Sequence, residues 1–240
     1  MPFVLSPTVQ NRPEYGNVSP MAEKAFVMLG VIHRDEEGPV LLKGWLDRIR
    51  PDVITLELSH YGIRFRRERG EEYKRRIDRI AERLRENGEL YSEENLVSLR
   101  LYMDMPYEFD VASRFSAEYG IPVHLIDMDF FSYVKLRAVD DLLSEENIEK
   151  ALTGTDRPIV NQEKAMARLY FEKGIKTSSY DREMYIRDRY MSVKIRDLMR
   201  YNRGGRFLHV CGWQHLQDPA NLYGPFNPTK VFFYDKTLCL

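Results

Sequence analysis

The chain predicts an α/β domain: a mostly parallel central sheet of four to five strands, flanked by helices and carrying a long helical insertion. Three observations predict it. Short, mostly apolar runs recur at residues 25–32, 53–58, 123–126 and 207–211, the pattern of strands buried on both faces. Between them lie longer stretches with apolar residues at helical spacing, so that strand, helix and strand alternate as in parallel crossover units. Finally, two of the runs close in the same four-residue pattern, Gly30-Val31-Ile32-His33 and Gly212-Trp213-Gln214-His215. Ligands of open parallel sheets bind beyond the carboxyl ends of the strands, so both histidines fall where a site is expected.

Taken in order, residues 1–24 are rich in Pro, Asn and Ser without a period and read as an irregular arm, with residues 25–240 as a single domain. An arm of this kind packs on its own body or on a partner, which leaves a homodimer open. The strand into His33 is followed by a helix from Val40 to Ile49 that Pro51 stops. A second strand covers residues 52–58. Residues 61–89 form a long amphipathic helix with Ile77, Ile80 and Leu84 as its apolar stripe and Arg and Glu on its outer faces. Gly70 and Gly88 are candidate breaks in it. Helices at 95–102 and 108–119 complete a helical excursion over about residues 61–120. A third strand runs from Val123 to Asp127, and residues 133–152 read as one helix. Residues 153–158 give the best linker signal. Helices at 159–173 and 180–201 lead to a fourth strand, 207–211, and an edge strand, 229–234.

Composition narrows the function classes. With 36 Lys and Arg against 37 Asp and Glu, the net charge is -1, so no global field points to nucleic acid or an anionic membrane. Two cysteines, Cys211 and Cys239, do not make a disulfide framework, and ten methionines suit a reducing interior. No apolar stretch approaches the ~20 residues that span a bilayer, and the first residues lack the order of a signal peptide. The expected setting is cytoplasmic.

The strand ends carry the chemistry. His33, Glu57, Asp127 and His215 all fall at carboxyl ends, with Asp129 just beyond. Two imidazoles with a carboxylate suit a borderline divalent metal such as zinc or manganese. Without metal, the same groups suit general acid/base hydrolysis, with a carboxylate orienting the histidine. Gly30 and Gly212 let the backbone turn sharply and a ligand come close. Each group also has a plainer reading. Glu57 in an apolar strand needs a partner, which Arg64 or Arg66 could supply, and Asp127 could cap the next helix. His60, His124, His209 and Cys211 read as packing or surface residues. The Arg-rich segment 64–85 is nearly as acidic as basic, which favours a solvated face.

Five segments, in order over residues 26–215, resemble the TraB/Tiki proteins of the wider erythromycin-esterase and ChaN-like superfamily. They are Phe26 to His33, Val53 to Leu58, Leu125-Ile126-Asp127-Met128-Asp129, the helix around Arg187-Asp188-Arg189-Tyr190-Met191, and Gly212 to His215. The Tiki resemblance implies a metal-dependent peptidase with His33, Glu57 and His215 as ligands of zinc, manganese or cobalt. The esterase resemblance implies His33 as a metal-free general base. Either makes Arg187 an anion stabiliser. In the expected site Asp127 and Asp129 orient the histidines, and Gly30, Gly212, Asp127 and Asp129 lie beside the ligand. ChaN-like members bind haem without turnover. The chain departs from the pattern after the first histidine, where Arg34-Asp35-Glu36-Glu37 replaces small residues. The expected function is a hydrolase of a peptide, ester or amide bond acting on a small-molecule or peptide substrate. The alternatives are a haem or small-molecule binding protein and an interaction protein docking through its charged helices.

Overall fold

The computed structural model describes residues 26–154, 159–174, 180–202 and 205–235, with residues 159 and 160 described by backbone alone. The N-terminal arm, most of the predicted linker and Cys239 lie outside the described residues. Five strands form one all-parallel sheet: β1 (Phe26–Val31), β2 (Val53–Leu56), β3 (Val123–Leu125), β4 (Phe207–Gly212) and β5 (Thr229–Phe232). Their order is β3-β2-β4-β1-β5. β1 and β4 run in register from Phe26 opposite Phe207 to Val31 opposite Gly212, and β5 lies at the edge beside β1. The helices are α1 (Gly38–Ile49), α2 (His60–Glu86), α3 (Glu93–Met103), α4 (Tyr107–Tyr119), α5 (Asp129–Arg137), α6 (Val139–Leu142), α7 (Glu145–Thr153), α8 (Ile159–Lys173) and α9 (Arg182–Tyr201).

Alternation along the strands divides the sheet into two covered faces. Phe26, Met28, Val53, Phe207 and Cys211 point to the face under α9, where Met191 and Ile195 meet them. Val27, Leu29, Ile54, Leu56, Leu208 and Val210 point to the other face. There they meet Leu42, Trp45 and Leu46 of α1, Ala112 and Phe115 of α4, and Ala167 of α8. Burial on both sides explains why the strands read as mostly apolar runs.

A second core holds much of the helical excursion together. Tyr73, Ile77, Ile80 and Leu84 of α2 pack on Leu96 and Met103 of α3, and on Leu136, Val139, Leu143, Ile148 and Leu152 from α5 to α7. α4 belongs instead to the sheet. The single helix expected over 133–152 is three, restarted where the Ser144 hydroxyl accepts the Asn147 N–H at 3.4 Å. α2 starts the same way, with Ser59 Oγ accepting the Gly62 N–H at 2.9 Å. It runs through Gly70 unbroken; a Cβ there would lie 2.7 Å from the Met103 carbonyl oxygen, so the glycine serves close helix packing. Gly88, at φ 72°, lies just past the helix end. Among the described residues no helix is long and apolar enough to cross a membrane.

Candidate active site

The carboxyl edge of the sheet gathers the predicted residues as the topology requires. β1 leads through Ile32 to His33, β2 into Glu57, and β3 through Ile126 to Asp127. β4 ends at Gly212, from which a 3-10 turn, Trp213–Gln217, carries His215. α9 brings Arg187 and Asp188 over this edge, and the first turn of α4 brings Glu108.

Glu57 is the hub. Its Oε1 accepts from Arg187 Nη2 at 2.5 Å and from His215 Nε2 at 2.9 Å. Its Oε2 accepts the Gly212 N–H at 2.6 Å. Arg187 also grips Asp127 with two bonds, Nη2 to Oδ2 at 2.7 Å and Nε to Oδ1 at 3.1 Å. On the far side of His215, Nδ1 donates to Asp188 Oδ1 at 2.5 Å. Asp188 is fully buried and also accepts from Tyr223 at 2.8 Å and Tyr180 at 2.6 Å. Burial alone would raise the Glu57 carboxyl, but His215 and Arg187 outweigh it and hold it well below its usual range. For His215 burial works downward, and the flanking Glu57 and Asp188 carry it up to about 10. It is therefore an imidazolium at neutral pH, donating from both nitrogens.

His33 is built differently. Nδ1 donates to Glu108 Oε1 at 2.6 Å. Nε2 stands 4.0 Å from Glu57 Oε2 and makes no hydrogen bond among the described residues. The His33 side chain is 35% exposed against 3% for His215, because it opens on a cavity of about 510 Å³ that Arg34, Glu57, Arg66, Tyr102, Glu108 and Arg187 help to line. The Tyr107 hydroxyl donates to the Ile32 carbonyl at 3.0 Å and steadies the strand exit. Burial lowers the His33 pKa, yet Glu108 foremost, with Glu57 and Glu163, outweighs it, so it lies above its ordinary 6.5.

The two glycines serve clearance rather than backbone freedom. Gly212 has φ -55°, and a Cβ on it would sit 3.0 Å from His33 Nε2. A Cβ on Gly30 would lie 2.5 Å from Leu216 Cδ1 and 3.0 Å from Trp213 Cα. Gly30 thus seats the turn that carries His215, its missing Cβ facing Leu216. Asp129 is exposed and its Oδ1 accepts the Tyr61 N–H at 2.7 Å; the bonds of the two histidines go to Glu108, Asp188 and Glu57. Asp127 neither caps α5 nor orients a histidine; it clamps Arg187. The cation on Glu57 is Arg187, not Arg64 or Arg66. His209 is a neutral core residue, bonded to Thr55 Oγ1 at 3.0 Å and pushed down to about 4 by burial. Burial pushes the Cys211 thiol well up, leaving it an inert core group.

The groups that orient the imidazoles, Glu108 and Asp188, carried no assigned role in the sequence reading. Glu108 had a weak signal, an acid two residues after Pro106. Asp188 lay inside the helix segment that the resemblance marked.

Each histidine has Nδ1 on a carboxylate and Nε2 turned toward one glutamate, the outer-shell layout of many metal ligands. The electron pairs are committed otherwise. Both Glu57 oxygens accept protein N–H groups, protonated His215 has no lone pair to give, and the Arg187 guanidinium sits on the glutamate. Among the described residues no group of three His, Cys, Asp or Glu side chains is arranged to hold a metal ion. In this arrangement the set does not fit a divalent cation; His33 Nε2 is the one open donor. Comparison of the chain with family models, curated proteins and solved structures returns no match.

Proposed function

We propose that the protein is a metal-free hydrolase of ester or amide bonds with His33 as general base. The observation that carries this is the contrast between the site's two histidines. His215 has both nitrogens bound to carboxylates, whereas His33 presents a free Nε2 to the cavity with Nδ1–H held by Glu108. A neutral His33 takes a proton from water at Nε2 while the water oxygen bonds to the substrate carbonyl carbon. Glu108 fixes the tautomer and stabilises the imidazolium that forms. As the tetrahedral intermediate collapses, the bond to the leaving oxygen or nitrogen breaks and His33 returns the proton to it, giving an acid and an alcohol or amine. Arg187, clamped by Glu57 and Asp127 at the cavity wall, lends positive charge to the developing oxyanion. Glu57 and His215 act as its rigid support.

This reading takes the esterase side of the TraB/Tiki-like resemblance. The metal-dependent peptidase side would need Glu57 and His215 to give up their present partners. A cytoplasmic setting suits the unpaired, buried Cys211 thiol.

The test is hydrolysis of a panel of p-nitrophenyl esters by the wild type and His33→Gln, with metal analysis of both. We expect chelator-insensitive turnover that falls at least about a hundredfold in the variant, the scale of general-base catalysis, with unchanged thermal unfolding. Equal turnover in the variant would sink the assignment. Stoichiometric metal lost on replacing His33 would restore the metal-dependent alternative. A Soret band on adding haemin, with no turnover, would favour the binding protein.

A further inference from the structure

We infer that the cavity beside His33 takes an anionic substrate, an ester or amide carrying a carboxylate or phosphate group that Arg34 and Arg66 grip. The inference rests on the hydrolase reading for its bond-breaking step and on the cavity's charges for the anion. Nearly every charged group on the cavity wall is already matched. Asp35 pairs with Lys164 at 2.7 Å, Asp104 with Lys74 at 2.6 Å, and Lys135 with Glu183 at 2.6 Å. Glu108 holds His33, and Glu57 and Arg187 hold each other. The remainder is Arg34, Arg66 and the exposed Glu36.

Neither arginine has a carboxylate within ion-pair distance among the described residues. The Arg34 guanidinium lies 4.5 Å over the Tyr102 ring. Arg66 uses one donor, Nη1 to the Gly62 carbonyl at 3.2 Å. Both are half-buried. The Arg66 pKa is pushed down chiefly by burial and further by the like charge of Arg34, against smaller upward pulls from Tyr102 and Glu108. An anion between them relieves that repulsion. Their planar forks match carboxylate and phosphate oxygens bidentately. Arg34 directly follows the general base in the chain, at φ 62°, so the gripped group and the scissile bond share one cavity.

Calorimetric titration of the full chain with inorganic phosphate and with succinate tests the anion site. The proteins are the wild type, Arg34→Asn/Arg66→Gln and Arg66→Lys; Asn tolerates the left-handed backbone at position 34. We expect at least one anion to bind the wild type, at least tenfold weaker in the double variant and intermediate in Arg66→Lys, with binding weakened by salt. Tighter binding of phosphate assigns a phosphate-bearing substrate, and tighter binding of succinate a carboxylate. No binding by the wild type, or equal binding by a folded double variant, overturns the inference. Kinetics on monomethyl succinate and methyl butanoate separate the two readings. Arginine-dependent anion binding with no His33-dependent turnover would leave the anion site and remove the hydrolase. His33-dependent turnover of both esters at equal efficiency, unaffected by the arginine changes, would do the reverse.

Discussion

One motif, Gly-x-x-His, yields two opposite residues. What meets Nε2 decides the difference: Glu57 for His215, the cavity for His33. That makes Glu108 the residue whose replacement is most informative. Only neutral His33 accepts a proton, so activity should rise with pH through an inflection above 6.5, as Glu108 raises this group. In Glu108→Gln burial is left unopposed by that carboxylate and the inflection should move down. The lost charge-assisted bond contributes about 1.5–3 kcal/mol, so plateau kcat/KM should drop roughly ten- to a hundredfold. A kcat/KM profile whose inflection stays in place would show that Glu108 does not act on His33. The histidines, Glu57 and their edge were legible because a polar residue closing an apolar run is conspicuous. Glu108 was not, since an acid in the first turn of a helix is ordinary. Its role comes from α4 docking against a strand end 75 residues earlier.

Glycines in helices show the same limit at the scale of elements. From sequence, Gly44 and Gly70 are alike; in the fold they are opposites. Gly44 of α1 has nothing within 4 Å of its missing Cβ, whereas Gly70 of α2 faces the Met103 carbonyl oxygen at 2.7 Å. Gly44→Ala should stabilise by up to about 1 kcal/mol through helix propensity. Gly70→Ala gains the same but must push α3 away, at about 1–3 kcal/mol for overpacking. Thermal unfolding should therefore rise for the first and fall for the second; a matching rise in both would mean that α3 does not press on α2. Strand positions were readable because burial on two faces leaves few polar residues inside them, Thr55 and His209 bonding to each other. The division of residues 133–152 into three helices was not, because Ser144 looks like any helical serine until its hydroxyl is seen capping the next turn.

Across the whole molecule, the buried array of Arg187, His215, Glu57, Asp127 and Asp188 ties stability to pH. The folded pKa of His215, about 10, exceeds its unfolded 6.5. Its contribution is complete below 6.5 and disappears as pH climbs to about 10. Glu57 runs the other way, contributing above its ordinary 4.5 and losing that contribution as pH falls. Denaturant unfolding across pH should show greatest stability between these limits and a decline toward alkali. His215→Gln should be less stable at pH 6 by about 3–5 kcal/mol, since an ion pair is broken in the interior, and should lack the alkaline decline. A wild type equally stable at pH 6.5 and 10 would contradict the array. The strand order adds a consequence for biosynthesis. β1 pairs only with β4 and β5, and β2 has β3 alone until β4 enters between it and β1. A nascent chain therefore carries β1 unpaired until β4 emerges, and His215 and Tyr223 emerge later still. A copy cut short of that point would lack His215 and leave apolar strand edges exposed, the kind of product that cellular quality control removes.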